Sequence, residues 1–303
     1  MYTAQDFIKS KAYGNIPALA TPLKKNGDFD SGGMKNLVNY VIDSGMNSLF
    51  VLGFAGEVLS FDKTTRCNII ETVKKEAKSN ISVIAGVFDN CTKSVLENIA
   101  DAKACGADFA LCSPPNFYPL TQEEIKSFYL TIADKGILPI IMYNCPLNRH
   151  YLSPELVSEL ARHPMILALK ETSSQDHIQR MILKLRGIND FVIMSGDEFV
   201  YYPAMSLGIK SFIMGGPGNI LPRQCNDILS DYKKGDTIKA IDSYLKMIDF
   251  LYELYKIGSC AMAAVKGMLE IMGICSRWMS HPVRCVSDEE IELIGKLIDK
   301  RGV

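Results

Sequence analysis

The sequence lacks an excess of charge of either sign. Its 303 residues include 33 Lys and Arg against 34 Asp and Glu, which gives a formal net charge of −1. Such a chain has no broad basic field to hold nucleic acid or an anionic membrane, so neither is expected as a partner. Its apolar runs are shorter than the ~18 residues of a membrane span, and its first residues carry no apolar signal-type segment. We therefore expect a globular protein of the cytoplasm.

Paired cysteines of the metal-binding or redox kind are also missing. The nine cysteines include no CxxC pair, and the four histidines add no zinc-type spacing. We therefore expect free thiols in a reducing compartment and no metal.

Short apolar runs rich in β-branched residues recur along the chain. Each has four to eight residues and is typical of a strand buried on both faces. The runs occupy residues 16–23, 48–53, 81–87, 109–114, 139–144, 166–171, 191–196 and 211–216.

The segments between these runs have helical periodicity and caps. Thr92 is predicted to cap one helix, whereas Thr121 and Ser287 each precede a Glu in the capping-box position. Eight strand–helix units predict an α/β fold of the (β/α)8 barrel type. A doubly wound open sheet is the alternative, but the first strand lacks the GxGxxG turn of a dinucleotide fold. We predict a barrel over residues 1–225 and C-terminal helices over 226–303, packed on it as a single domain overall.

A lone lysine, Lys170, ends the apolar sixth strand. Active sites of these barrels lie at the carboxyl ends of the strands. Desolvation there lowers the pKa of an amine, and only a neutral amine attacks a carbonyl to form a Schiff base. The alternative is a structural ion pair between Lys170 and a neighbouring carboxylate.

Two further candidate elements of the site lie at the ends of other strands. Tyr143 ends the fifth strand, close enough to Lys170 to relay protons, although a core tyrosine with a satisfied hydroxyl is the alternative. The turn Gly53–Glu57 has glycines that permit a nest of N–H groups for a carboxylate, but most such turns only connect a strand to a helix.

These motifs occur in an order that resembles a known family. The chain resembles the dihydrodipicolinate synthase / N-acetylneuraminate lyase superfamily of class I, Schiff-base aldolases and lyases. The matching segments are Thr21-Pro22, Gly53-Phe54-Ala55-Gly56-Glu57, Ser113-Pro114-Pro115, Tyr143-Asn144-Cys145-Pro146, Leu169-Lys170-Glu171-Thr172-Ser173 and Ser195-Gly196-Asp197-Glu198.

The resemblance implies roles for individual residues. Lys170 forms the imine with a 2-oxo acid, and Tyr143 moves protons. It further implies a homotetramer without a metal or an organic cofactor. Implied substrate-binding positions are Phe54, Ala55, Gly56, Glu57, Thr172, Gly196, Asp197, Glu198, Gly216 and Asn219, with Asn116, Tyr118 and Arg149 as candidates at an interface or the distal substrate end.

The chain also departs from this pattern. Phe54 and Ala55 replace the Ser/Thr-Thr pair between the two glycines, so both hydroxyls are lost. Asn116 stands where the synthases have a tyrosine that crosses the subunit interface. Asn148 stands where they have a carboxylate-binding arginine, with Arg149 one position later.

Four functions are compatible with these residues. The leading hypothesis is a lyase that releases pyruvate from a 2-oxo sugar acid of the N-acetylneuraminate or 2-keto-3-deoxy type. The first alternative is dihydrodipicolinate synthase (4-hydroxy-tetrahydrodipicolinate synthase) with an altered site. A non-catalytic barrel that binds a small 2-oxo acid is the second alternative. A phosphate- or flavin-binding barrel that uses the loop 215–219 is the third.

Overall fold

Eight parallel strands form the centre of the molecule. The computed structural model describes residues 13–77, 81–145 and 149–302. The strands are β1 (Gly14–Pro17), β2 (Ser48–Val51), β3 (Ser82–Gly86), β4 (Phe109–Cys112), β5 (Ile140–Asn144), β6 (Ile166–Glu171), β7 (Val192–Ser195) and β8 (Ser211–Met214). From β2 to β8 each strand pairs with the next strand in the chain, and β8 pairs with β1. The prediction of a (β/α)8 barrel is confirmed.

The seam between β1 and β2 is closed by a short bridge rather than by a full ladder. Ala18, just beyond β1, pairs with Phe50 in β2. The N–H of Leu19 donates to the Phe50 carbonyl oxygen over 2.8 Å. The strand side chains are almost all buried, as the continuous apolar runs predicted.

Helices follow the strands and cover the barrel. They are α1 (Ser31–Asp43), α2 (Lys63–Glu76), α3 (Thr92–Ala104), α4 (Gln122–Ala133), α5 (Pro154–Leu160), α6 (Gln175–Lys184), α7 (Tyr201–Ser206), α8 (Gly216–Ile220), α9 (Pro222–Lys234), α10 (Thr237–Leu254), α11 (Ala261–Ile271) and α12 (Asp288–Arg301). No helix in these described ranges is long and apolar enough to span a membrane.

The capping predictions had two outcomes. The capping boxes at Thr121 and Ser287 are confirmed, because each side chain and its partner Glu exchange hydrogen bonds with the backbone. The cap at Thr92 was wrong: Thr92 is the first residue of α3, and Cys91 occupies the cap position without a side-chain hydrogen bond. Sequence spacing alone did not separate these two adjacent positions.

The segment after β8 also differs from its prediction. The expected loop 215–219 is largely the one-turn helix α8, and all of its residues are buried. The following α9 packs against β1 and contains residue 225 in its interior. The predicted division at residue 225 falls within α9, and the two parts on either side of it stay a prediction.

Asn219 in α8 joins the two ends of the barrel. Its Nδ2 donates to the Ala18 carbonyl oxygen over 2.8 Å and also to that of Gly215, while its Oδ1 accepts from the Ala20 N–H over 2.9 Å. The side chain is fully buried. Asn219 thus satisfies the backbone of β1 where the regular ladder ends.

We expect Asn219→Ala to lower the free energy of unfolding by about 2–4 kcal/mol, because it leaves buried backbone groups without partners. Urea unfolding measures this loss. Asn68→Ala on the exposed face of α2 is the control and should change stability by less than about 0.5 kcal/mol. Equal effects of the two substitutions would contradict the role of Asn219.

Candidate active site

Lys170 lies at the carboxyl end of β6, inside the barrel. Its side chain is buried, at 6% exposure. Its Nζ is 4.0 Å from the centroid of the Tyr143 ring and 5.6 Å from that of Phe50. Gly196, at the end of β7, makes room for it, since a Cβ there would lie 2.7 Å from Lys170 Cε. The lysine is therefore held between two aromatic rings and a glycine.

The electrostatic environment of Lys170 favours the neutral amine. Within the described ranges Lys170 forms no salt bridge, so the expected alternative of a structural ion pair is not observed. Burial lowers the pKa of the amine to about 8, although the more distant Cys145 and Glu198 act in the opposite direction. At pH 7 roughly a tenth of such an amine is unprotonated, and this fraction is nucleophilic.

Tyr143 is the strand neighbour of Lys170. The two residues are paired in the register of β5 and β6, so the expected proximity is confirmed. Burial raises the pKa of the Tyr143 phenol well above its ordinary value, and the Cys145 thiol beside it adds to this effect. The phenol is therefore protonated at neutral pH.

The turn Gly53–Glu57 follows β2 directly. Phe54 is 66% exposed, whereas Ala55 and Gly56 are buried. The N–H groups of Glu57 and Val58 bond back to the carbonyl oxygens of Phe54 and Gly53. No such bond in the described part of the chain uses the N–H groups of residues 54–56. These three N–H groups are therefore without a backbone partner among the described residues, and the carboxylate nest stays a prediction.

Glu57, a predicted substrate-binding residue, contacts the C-terminal part of the chain. It has a left-handed backbone conformation with φ 53°, and its carboxylate forms an ion pair with the fully buried Lys266 of α11. It also accepts from the Ser280 N–H over 2.7 Å, while Lys266 Nζ donates to the Trp278 carbonyl oxygen. Glu57 therefore anchors the turn to the C-terminal helices.

Asp197 and Glu198 follow β7. Glu198 Oε1 accepts a 2.5 Å hydrogen bond from the hydroxyl of Tyr255, just beyond α10. A Cβ on Gly216 would overlap that hydroxyl. Asp197 Oδ1 accepts from the Phe199 N–H over 2.9 Å, and burial raises the pKa of both carboxyl groups.

Of the other candidate residues, some lie near Lys170 and Tyr143 and others do not. Thr172 lies against Gly196, and its hydroxyl is buried. Asn116 lines a cavity beside Tyr143, whereas Tyr118 is 71% exposed and Arg149 is exposed outside that cavity. Pro146 and Asn148 lie outside the described residues. The structure thus brings Asn116 to the site but neither Tyr118 nor Arg149.

A buried polar network includes the residues that follow Lys170 and Tyr143 in the chain. Glu171 is fully buried and accepts from Asn144 Nδ2 and from the N–H and hydroxyl of Ser173. His177 Nε2 lies 3.5 Å from the same carboxylate. Because Glu171 and Asn144 are adjacent to Lys170 and Tyr143 in the chain, this network fixes the ends of both strands.

Tyr255 and Lys266 are the site residues that sequence reasoning missed. Lys266 had a recognisable signal, a single lysine in the largely apolar α11 (AMAAVKGMLEI). Tyr255 had none, since its contact with Glu198 depends on how α10 packs on the barrel. In the described ranges, no three His, Cys, Asp or Glu side chains converge as metal ligands.

We expect Lys266→Met to lower the free energy of unfolding by about 3–5 kcal/mol, because it leaves the Glu57 carboxylate buried and unpaired. The double substitution Glu57→Gln with Lys266→Met should recover part of that loss. Urea unfolding of both variants measures the difference. Lys256→Met is the matched control, since that lysine is exposed in its pair with Glu253, and its effect should stay below about 1 kcal/mol. A double variant no more stable than Lys266→Met alone would contradict this account.

Comparison with known proteins places this geometry in a family. The chain is 31% identical over 271 residues to the 4-hydroxy-tetrahydrodipicolinate synthase of Geotalea uraniireducens (strain Rf4), across 89% of this chain and 92% of that enzyme. It is 30% identical to the enzyme of the same name from Trichlorobacter lovleyi, across 93% and 97%. The crystal structure of dihydrodipicolinate synthase from Aquifex aeolicus has a TM-score of 0.87 at 28% identity, covering 96% of this chain and 98% of that one.

These names agree better with the synthase alternative than with the leading hypothesis of a sugar-acid lyase. The model of the Dihydrodipicolinate synthetase family matches residues 11–301, which is nearly the whole chain. The chain therefore belongs to the Dihydrodipicolinate synthetase family, whose members are class I, Schiff-base pyruvate aldolases and lyases.

Proposed function

We propose that this enzyme forms an imine between Lys170 and pyruvate, or the corresponding 2-oxo acid, and makes or breaks the bond between pyruvate C3 and an aldehyde carbon. One observation carries the proposal: a buried amine without a carboxylate partner among the described residues lies 4.0 Å from the ring of Tyr143. A solvated or ion-paired lysine would stay protonated and unreactive at neutral pH.

The first step forms the imine. The neutral Lys170 amine attacks the keto carbon, and the carbinolamine loses its hydroxyl as water with a proton from Tyr143. The products are a protonated imine and a Tyr143 phenolate. Burial disfavours the phenolate, but the imine cation beside it offsets that cost in the low-dielectric interior.

The second step forms the carbon–carbon bond. The phenolate removes one proton from C3, which gives a neutral enamine. The enamine attacks the aldehyde carbon, and the new alkoxide takes the proton back from Tyr143. Water then adds to the imine carbon, gives its proton to the phenolate and releases a 4-hydroxy-2-oxo acid from Lys170. Cleavage is the same sequence in reverse.

The turn 53–57 is the proposed site for the pyruvate carboxylate. Its backbone N–H groups supply the hydrogen bonds that hydroxyl side chains would otherwise share. Phe54 and Ala55 contribute no hydroxyl, so Tyr143 carries the proton transfers without a hydroxyl from this turn. The catalytic assignment of Lys170 and Tyr143 needs no metal or organic cofactor.

The second candidate is the specific reaction of 4-hydroxy-tetrahydrodipicolinate synthase, with aspartate semialdehyde as the aldehyde. The curated relatives that carry this name, at 30–31% identity over most of the chain, favour it. Formation of the cyclic product from pyruvate and aspartate semialdehyde, followed with a coupled reductase, tests it.

We also propose that the chain acts as a homotetramer in the cytoplasm. The resemblance described above supports the tetramer. All nine cysteines are unpaired, which is consistent with a reducing compartment.

Borohydride reduction in the presence of pyruvate should attach a stable pyruvyl group to Lys170, identified by peptide mass spectrometry. Lys170→Ala should abolish the label, whereas the exposed-lysine control Lys184→Ala should keep it. Tyr143→Phe should slow labelling by about 10²–10⁴-fold, since it removes the proton donor. A folded wild-type protein that acquires no label at Lys170 would overturn the proposal.

A further inference from the structure

Cys145 carries a buried thiol next to the central pair, and the mechanism described above does not use it. It follows β5 directly, two residues after Tyr143. Side chains two residues apart in a strand point to the same face. The ladder between β5 and β6 extends to this point, because the Thr172 N–H donates to the Asn144 carbonyl oxygen over 3.1 Å. Cys145 therefore lies on the face of β5 that carries Tyr143.

The Cys145 thiol interacts with both members of the central pair. After burial, it is the largest cause of the raised pKa of Tyr143. It is also the first of the groups that oppose the effect of burial on the pKa of Lys170. The thiol is free, and the residue is 5% exposed. Because these interactions lie inside a single chain, they do not depend on which surfaces a second copy would cover.

Two other polar side chains near Tyr143 are less suited to share its charge. Glu171 already accepts hydrogen bonds from Asn144 and Ser173. The Thr172 hydroxyl is buried without a hydrogen-bond partner in the described ranges, but an alcohol is a much weaker acid than a phenol and would not protonate a phenolate.

A thiol, in contrast, is ordinarily a stronger acid than a phenol, with reference pKa values of about 8.5 and about 10. Burial raises the pKa of the Tyr143 phenol further. A negative charge that forms on the phenol oxygen is therefore better held by the neighbouring sulfur.

We propose that Cys145 is the proton-transfer partner of Tyr143 and lends its thiol proton to the phenolate that imine formation leaves. The inference rests on the proposed imine chemistry at Lys170 and adds a third residue to it. Once Tyr143 has given its proton to the departing hydroxyl, the S–H bond of Cys145 breaks and the phenol O–H bond forms again. The products are a thiolate and a neutral phenol beside the protonated imine.

The same transfer runs backwards when C3 loses its proton. That proton moves from C3 to the Tyr143 oxygen, while the phenol proton moves from this oxygen to the Cys145 sulfur. The result is a neutral enamine, a phenol and a thiol, so atoms and charges balance. Sulfur carries the negative charge at a lower cost than the buried phenol oxygen. More of the enzyme is therefore present as the protonated imine from which C3 is deprotonated.

Exchange of the pyruvate methyl hydrogens in deuterium oxide isolates this step, because it needs no aldehyde. Nuclear magnetic resonance follows the loss of the methyl signal. Cys145→Ser keeps the size of the side chain and a hydrogen-bonding group but cannot lend a proton to a phenolate. It should slow the exchange by at least about tenfold, and Cys145→Ala should be equally slow. Both variants should still acquire the pyruvyl label at Lys170, since Tyr143 gives its own proton during imine formation.

The matched control is Cys105→Ser. Cys105 is also buried, at 9% exposure, but it follows α3 and precedes β4, which places it at the opposite end of the barrel. This variant should exchange at the wild-type rate.

A double substitution tests whether Cys145 acts through Tyr143. Tyr143→Phe with Cys145→Ala should exchange no more slowly than Tyr143→Phe alone, because residues that act as one unit have non-additive effects. A packing role predicts instead that the two effects multiply, or that serine restores the rate that alanine loses. Either of these results overturns the proposal, as does wild-type exchange in Cys145→Ala. If Cys145→Ser does not fold, the alanine variant and the double variant decide.

The two proposals fail in distinguishable ways. Absence of the pyruvyl label from the folded wild-type protein overturns the imine chemistry itself. A normal label, together with exchange that does not depend on the Cys145 thiol, overturns only the role of Cys145.

Discussion

The site depends on the burial of one amine without a counter-charge. Lys170 lies between the rings of Tyr143 and Phe50, and in the described ranges no carboxylate forms an ion pair with it. Burying an unpaired ammonium is costly, so the protein lowers the pKa of the amine instead. The cost in stability and the reactivity toward a carbonyl therefore have the same physical origin.

Several buried hydrogen bonds and ion pairs hold the segments around Lys170 in place. Glu171 and Asn144 hold the ends of β6 and β5 through a buried network. Lys266 holds the turn after β2 through Glu57, and Tyr255 holds Glu198 after β7. Two of these four residues, Lys266 and Tyr255, belong to the C-terminal part of the chain. The helices that follow the barrel thus position parts of the site itself.

Much of this arrangement could be predicted from the sequence, because it follows from local patterns. The apolar runs gave the eight strands, and the lone lysine and the tyrosine at two strand ends gave the central pair. The contacts that hold the site residues in place could not be predicted in the same way. Glu57 with Lys266, and Glu198 with Tyr255, join residues separated by 209 and 57 positions. Such pairs depend on tertiary packing, which leaves no periodicity in the sequence.

The segment after β8 illustrates a second kind of difference. The resemblance placed Gly216 and Asn219 at the substrate, and a phosphate- or flavin-binding loop over 215–219 was the third alternative. In the structure Asn219 instead satisfies the backbone beyond β1. Composition predicts that a segment is irregular or closely packed, but it does not distinguish a ligand from the protein's own backbone as the partner.

The most direct test of the central claim is the pH dependence of imine formation at Lys170. The rate of labelling of the native enzyme is followed under excess reductant at pyruvate concentrations well below saturation, so that it reports the free enzyme. Since the neutral amine is the reactant, the rate should rise about tenfold per pH unit below pH 8 and level off above about 8. A midpoint near the ordinary lysine pKa of about 10.4 would contradict the claim that burial activates this amine.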